Sequence, residues 1–128
     1  MKTTSPSFPL ILKSTYGWIL VPANGINCIN AEDKYARLTY ADGSTVVLFH
    51  SMNDLESRLA CGTRVHQLLF LRTHRTCIVA MHHARALHGK EQVELDGGAI
   101  APVSRKAWAV ILRLLGSVHS TKSALRAA

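Results

Sequence analysis

The sequence predicts a mainly β domain of about nine or ten short strands, with one short central helix and one C-terminal helix. Its apolar runs are short and separated by turn residues, and Asp-Gly turns join two pairs of them. Apolar residues follow helical spacing in only two segments. Because a parallel sheet would need a helix between successive strands, these features favour antiparallel, sandwich-like layers in a single domain of 128 residues.

The first half of the chain is predicted to form extended segments separated by turns. The β-prone runs are Leu10 to Tyr16, Trp18 to Val21, Ile26 to Ala31, Tyr35 to Tyr40 and Thr45 to Phe49. The last two runs flank Asp42-Gly43, the strongest hairpin signal in the chain. A type I′ turn needs positive φ at both central residues, which Asp and Gly tolerate. The sequence therefore predicts a hairpin with a type I′ turn at Asp42-Gly43.

Two further pairs of β-prone runs lie in the second half of the chain. Leu68 to Leu71 and Cys77 to Met81 flank residues 72–76, which we expect to form a loop between strands. Gln92 to Leu95 faces Ala99 to Val103 across Asp96-Gly97-Gly98, so a second hairpin is predicted there.

Helical spacing occurs around residues 51–60 and after Ser104. In the first segment Met52, Leu55 and Leu59 fall at i, i+3 and i+7, and Gly62 lies just past the predicted end. In the second segment Ser104 is the predicted N-cap, and Gly116 marks the end. The apolar residues of the second helix are Trp108, Ile111, Leu112 and Leu115.

The aromatic residues lack the glycine and lysine pattern of a platform that stacks RNA bases. Core packing is therefore their expected role, and Trp108 is expected to anchor the last helix on a sheet. The residues concerned are Tyr16, Trp18, Tyr35, Tyr40, Phe49, Phe70 and Trp108.

The positive charge of the chain lies entirely in its second half. Fifteen Lys and Arg residues against eight Asp and Glu residues give a net charge of +7. Residues 1–60 contain five bases and five acids, whereas residues 61–128 contain ten bases and three acids. This asymmetry indicates a polyanionic partner, because Lys and Arg that neutralise phosphates release condensed counterions. Charge alone does not separate DNA from RNA or from an anionic membrane surface.

Two basic clusters carry side chains suited to nucleic acid. They are Arg72-Thr73-His74-Arg75-Thr76 and Ser104-Arg105-Lys106, the second at a predicted helix start. An Arg fork can donate twice to guanine, hydroxyls and the amides of a helix N-terminus can bind phosphate, and Lys adds a point charge. Solvated loops and caps with no ligand are the alternative interpretation of both clusters.

Other chemistries receive little support from the sequence. Cys28, Cys61 and Cys77 form no CxxC pair, which argues for reduced, mostly buried thiols. His82 and His83 are expected to point to opposite sides of a strand end, which does not suit a zinc site. No motif places a cysteine beside a base, so we expect no enzyme activity, no metal and no cofactor. Without an apolar run of about 20 residues or a signal peptide, a cytoplasmic location with no membrane contact is expected.

Four segments together resemble the LytTR DNA-binding domain. The run from Leu71 to Val79, LRTHRTCIV, is similar to the family's F-x-R-x-H-R-S-y-I-V-N stretch. Two downstream segments, VELDGG (93–98) and PVSRK (102–106), resemble its v-x-L-x-D-G and l-P-V-S-R-r/k segments. Upstream, INAEDKY (29–35) is similar to its I-x-y-i-E-A-e-d-n-Y strand and turn. Order and spacing match from about Leu10 to Leu115. We therefore expect a domain over residues 10–116, a flexible tail over 1–9 and a second tail over 117–128.

The resemblance implies a bacterial transcription regulator whose fold is an elongated stack of small antiparallel sheets. In such domains loops, not a recognition helix, enter the grooves of double-stranded DNA, and repeated sites bring two copies onto one operator. The implied base-contacting residues are His74, Arg75 and Arg105, and those at or near the DNA backbone are Lys34, Arg37, Arg72, Thr76, Ser104 and Lys106.

The chain departs from the family pattern in ways that keep a second interpretation open. Ala80 replaces the closing Asn of the motif, Glu32 and Asp33 lie in the first contact loop, and no receiver domain is expected. A module of this fold that modulates another regulator, without specific DNA binding, is therefore the alternative hypothesis. Regulation by a second protein is compatible with both.

Overall fold

A computed structural model describes residues 9–66, 70–89 and 91–116, with side chains described outside 60–66 and 114–116. Within these residues the chain forms ten strands and two helices. The strands are β1 (Pro9–Ser14), β2 (Gly17–Pro22), β3 (Ile26–Glu32), β4 (Tyr35–Tyr40), β5 (Thr45–Leu48), β6 (Phe70–His74), β7 (Cys77–Ala80), β8 (Ala84–His88), β9 (Gln92–Leu95) and β10 (Ile100–Pro102). The helices are α1 (Met52–His66) and α2 (Arg105–Gly116). The mainly β prediction is confirmed, whereas the predicted tails, apart from Pro9, lie outside the described residues.

The strands form two antiparallel sheets. The larger sheet has seven strands in the order β2-β1-β5-β4-β3-β7-β6, and the smaller has three in the order β10-β9-β8. Strands β1 and β5 share only the pair Ser14↔Leu48, so most of the β1–β2 hairpin extends beyond β5. The antiparallel arrangement expected from the short runs and tight turns is confirmed.

Two apolar clusters hold these layers together. The first lies between α1 and one face of the larger sheet, and its fully buried members include Leu12, Ile29 and Leu38. The second lies between strands β3 and β7, the smaller sheet and α2, and it includes Val79 and Ile111. Burying a side chain of this size stabilises a fold by about 1.5–3 kcal/mol relative to exposing it. The second cluster therefore fixes the position of α2, which carries one of the basic clusters.

The structure corrects three local expectations. Helix α1 does not end before Gly62 but continues to His66, since a glycine is tolerated within a helix at a cost of about 1 kcal/mol. Residues 72–76 are not all loop, because β6 continues through His74. Strand β8 was not predicted, because its sequence ARALH lacks the β-branched residues that mark strands.

The hairpin at Asp42-Gly43 is confirmed, but its turn type is not I′. Only Gly43 has positive φ, at 94°. Asp42 instead accepts hydrogen bonds through Oδ1 from the Ser44 amide at 2.9 Å and the Ser44 hydroxyl at 2.6 Å. This side-chain bond stabilises a four-residue connection, which does not need positive φ at Asp42.

Core packing is wrong for four of the seven aromatic residues considered. Tyr40, Phe70 and Trp108 pack against the two clusters as partly buried side chains. The exposed ones are Tyr16, Trp18, Tyr35 and Phe49. They occupy turns, strand ends or an outward-facing strand position, where the period-2 alternation directs side chains away from the core.

Candidate nucleic-acid interface

Three connections meet at one end of the larger sheet. The β3–β4 turn contains Asp33-Lys34, the β6–β7 turn contains Arg75-Thr76, and the third connection leads from β10 into α2. The Ala31 amide donates to the Thr76 carbonyl at 2.8 Å and joins the first two connections. The Ser104 amide donates to the Thr73 carbonyl at 2.6 Å and joins the second to the third. We refer to residues 33–34, 74–76 and 104–106 as the basic edge.

Thr73 anchors the middle of the basic edge. It is fully buried, although both of its neighbours are partly exposed, and it lies at a register shift between Arg72 and His74. Its hydroxyl donates to the Pro102 carbonyl at 2.8 Å. This bond and the Ser104 amide bond fix β6 to the start of α2 from both the side chain and the backbone of Thr73. No sequence signal predicted this role, because a Thr inside a basic cluster resembles a solvated loop residue.

The His74 ring is oriented by Thr76. The Thr76 amide donates to Nδ1 at 3.3 Å, and the Thr76 hydroxyl lies 2.9 Å from the same atom. Because a backbone amide can only donate, Nδ1 accepts, and a neutral ring then carries its proton on Nε2. His74 therefore retains one ring N–H donor for an external acceptor.

Arg72 lies behind the basic edge and holds it. Its side chain is 22% exposed, and Nη2 donates to the Arg75 carbonyl at 2.7 Å. Its Nη1 contacts Asn53 of α1 and Glu56, the latter at 3.2 Å. The guanidinium thus links helix α1 to the β6–β7 turn, and the carboxylate of Glu56 is occupied by an internal cation.

Arg37 is also paired with a carboxylate of the same chain, on the surface of the first connection. Its Nε and Nη2 donate to the two carboxylate oxygens of Glu32, each at 2.8 Å, and Nη1 donates to the Thr45 hydroxyl at 3.2 Å. The Arg37 hydrogen bond lowers the pKa of Glu32. Glu32 is therefore a paired carboxylate, which reduces the repulsion expected between this loop and phosphate. Asp33 adopts φ 54° and forms the turn itself.

Helix α2 begins at the basic edge with the predicted cap. Ser104 Oγ accepts from the Ala107 amide at 3.1 Å, which confirms Ser104 as the N-cap. Arg105 and Lys106 occupy the first turn and are exposed, and this turn contains no acid. The amides of the first turn and the positive end of the helix dipole favour an anion here.

The exposed cations of the basic edge have no internal counter-ion. Among the residues that the structure describes, Arg75, Arg105, Lys106 and Lys34 take part in no ion pair, unlike Arg37 and Arg72. Two grooves, of about 600 Å³ and 440 Å³, run beside this edge, and His74 and Ser104 line both. Arg105 lines the first groove, and Arg75 and Lys106 line the second. The structure therefore brings the predicted site residues together as a set of exposed, unpaired cations beside two arginines, Arg37 and Arg72, that are paired with carboxylates of the same chain.

The remaining chemistry-bearing residues are internal. Cys28 and Cys77 are buried free thiols that contact Asn30 at 3.6 Å and 3.5 Å, and burial raises the pKa of Cys77 to about 12. The rings of His82 and His83 lie 4.6 Å apart on a 3₁₀ turn, so the expectation of opposite orientations is wrong. No group of three or more His, Cys, Asp or Glu within the described ranges could hold a metal ion.

Comparisons with known proteins agree with this geometry. The family model described as the LytTr DNA-binding domain matches residues 16–116. A solved LytTr DNA-binding domain from Bacillus cereus is 28% identical, with a TM-score of 0.67, and the match covers 88% of this chain and 99% of that one. Comparison with curated proteins gives no match. Neither described helix has the length and apolarity needed to cross a membrane.

Proposed function

The chain belongs to the LytTR family of DNA-binding domains, and from this premise we propose that it is a transcription regulator that binds specific sequences in duplex DNA. The family is one of DNA-binding domains and not of enzymes. In this proposed role, connections of the basic edge enter the major groove, and the protein acts in the cytoplasm.

One observation supports this assignment above the others. Three separate connections place Arg75, Arg105, Lys106 and Lys34 along one end of a sheet, and none of these cations pairs with an acid in the described structure. An acidic residue beside each of these cations, as Glu32 is beside Arg37, would change the stability of the fold little, because ion pairs on a solvated surface are weak. A row of uncompensated cations is the electrostatic footprint of a protein that binds phosphates.

The donor geometry divides the site residues into two roles. We assign base contacts to Arg75 and Arg105, whose planar forks suit guanine O6 and N7, and to His74 through its Nε2 proton. Lys106 and Lys34 would bind phosphates, together with the amides of the first turn of α2. This division follows from the shape of the donor group that each exposed side chain carries.

The other predicted contact residues would act from behind the surface. The Ser104 hydroxyl caps α2 and the Thr76 hydroxyl contacts His74, so each orients a neighbour. Arg37 holds Glu32, and Arg72 holds the Arg75 carbonyl. We propose that these four residues pre-organise the surface, which lowers the entropic cost of binding.

Selection of bound duplexes from a random pool tests the proposal. We expect enrichment of a short motif that occurs twice at fixed spacing, since two copies are proposed to occupy one operator. Titration of the selected and a scrambled duplex at two salt concentrations then separates base readout from charge. Weak, sequence-independent association would contradict the proposal and support the alternative, a module that modulates another regulator.

A further inference from the structure

One acidic residue in the positively charged half of the chain has no internal partner. Ten Lys and Arg residues in this half accompany only three acids, Glu91, Glu94 and Asp96. Glu94 contacts Nε2 of His88, and Asp96 contacts Nδ1 of His83, each at 2.7 Å. Glu91 is exposed and makes no ion pair or side-chain hydrogen bond with the residues that the structure describes. Its carboxylate is therefore available to an external donor.

The main chain of Glu91 is fixed beside the start of α2. The Val103 amide donates to the Glu91 carbonyl at 2.6 Å. Val103 directly precedes the Ser104 cap and lies two positions before Arg105. Glu91, Arg105 and His74 all line the larger of the two grooves, of about 600 Å³. An unpaired carboxylate thus borders the same groove as two of the proposed base-contacting residues.

The other acids near the basic edge are placed differently from Glu91. Glu32 and Glu56 are paired with arginines of the same chain. Asp33 forms the β3–β4 turn and lines neither groove. A carboxylate that faces phosphates repels them, since like charges brought together across an interface oppose binding. An unpaired acid at this position therefore weakens binding to every duplex unless it accepts a hydrogen bond from the DNA.

We propose that Glu91 is a specificity-determining residue, which accepts a hydrogen bond from a base amino group within one base-pair step of the guanine contacted by Arg105. An ionised carboxylate can only accept hydrogen bonds, whereas an arginine can only donate them. The donors in the major groove are the amino groups at cytosine N4 and adenine N6, and Glu suits the first of these. The larger groove would thus read acceptors with Arg105 and a donor with Glu91. This inference rests on the proposed function and names what one part of that site reads.

Duplexes that contain bases without the amino group test this contact. Selection with the wild type supplies the duplex, and the preference lost in Arg105→Ala locates its guanine. Each cytosine or adenine within one step of that guanine is then replaced singly by 2-pyrimidinone or purine, which lack the amino group. At one position the wild type should bind the analogue on the order of tenfold more weakly in anisotropy titrations, whereas Glu91→Ala should bind both duplexes equally. Comparing the two proteins on the same duplexes cancels the effect of the analogue on the duplex itself.

Glu91→Gln separates hydrogen bonding from charge. Gln keeps an acceptor oxygen without the charge, so this variant should retain most of the discrimination that Glu91→Ala loses. A carboxylate that only repels phosphates predicts instead that both variants bind every duplex more tightly and discriminate as the wild type does, which would overturn the proposal. Loss of preference at the Arg105 guanine in Glu91→Ala would also overturn it, because Glu91 would then act by positioning Arg105.

Glu94→Ala is the matched control, because Glu94 lies three residues further along the chain, contacts His88 and lines neither groove. It should discriminate against the analogue as the wild type does, and thermal melting should show that every variant folds. The proposal fails if the wild type tolerates the analogue at every tested position, or if Glu94→Ala loses as much discrimination as Glu91→Ala. Either result would leave DNA binding itself intact. A wild type that selects no motif would instead refute the proposed function and this inference together.

Discussion

Replacing Arg72 by Lys distinguishes a residue that holds the DNA-binding turn from one that contacts phosphate. Lys keeps the charge and most of the length but loses the fork that bonds the Arg75 carbonyl and Glu56 at the same time. If Arg72 acts by positioning, the Lys variant should fail nearly as badly as Arg72→Ala. If it acts as a phosphate contact, the Lys variant should bind almost as well as the wild type.

The expected magnitude follows from the bonds that are lost. A hydrogen bond to a charged group contributes about 1.5–3 kcal/mol, and Arg72 is sufficiently buried for solvent to screen it only in part. Losing the bond to Arg75 should therefore weaken binding to the selected duplex by about 10- to 150-fold. Binding to a random duplex should fall far less, since the number of cations is unchanged, and the salt slope should stay the same.

Fluorescence anisotropy titrations with selected and random duplexes at two salt concentrations measure these quantities. Arg85→Lys serves as the control, because Arg85 is an exposed arginine on β8, away from the basic edge. Circular dichroism melting shows whether the variants fold. Wild-type affinity and specificity in Arg72→Lys would refute the reasoning, as would an equal loss in Arg85→Lys.

Three further predictions concern readout, acid stability and thiol reactivity. Arg75→Ala should reduce the binding free energy for the selected duplex by about 1–3 kcal/mol and relax the preference at one base pair. Lys106→Ala should weaken binding to all duplexes alike and reduce the salt slope by about one unit. Equal losses from both variants on every duplex would argue against base readout. Pairing with Arg37 lowers the pKa of Glu32 from 4.5. The ion pair therefore stabilises the fold above pH 4.5, and this contribution is lost as the pH falls through the lowered pKa. Glu32→Gln should accordingly show a shallower decline in melting temperature at acid pH than the wild type. Burial raises the pKa of Cys77 to about 12, so this thiol should resist alkylation at neutral pH until the chain is unfolded. Mass spectrometry follows the labelling. Rapid labelling of Cys77 in the folded chain would contradict its burial.

The sequence was a good guide to elements whose signals are local. Alternation, turn residues and helical spacing depend on neighbours along the chain, and they predicted nine of the ten strands, both helices and the Ser104 cap. They were less reliable where tertiary packing competes with a weak signal. Gly62 failed to stop α1, and β8 formed without β-branched residues because pairing with β9 supplies its hydrogen bonds.

In the candidate site, too, the sequence showed the residue types, whereas the tertiary structure showed their surroundings. The basic clusters were visible as residue types, but paired and unpaired arginines look identical in a sequence. Only the fold shows that Arg72 and Arg37 face carboxylates and that Arg75 and Arg105 do not. Likewise, alternation predicted strands at the N-terminus without revealing that one face of the first hairpin stays uncovered.

What the sequence determined by itself is therefore the class of fold, the order of its elements and the half of the chain that carries the positive charge. The tertiary structure decided which of those charges remain available and where they converge. The reason is that secondary structure responds to spacings of a few residues, whereas an ion pair such as Arg72 with Glu56 joins residues 16 positions apart. Contacts of that range exist only after the sheets and α1 have packed.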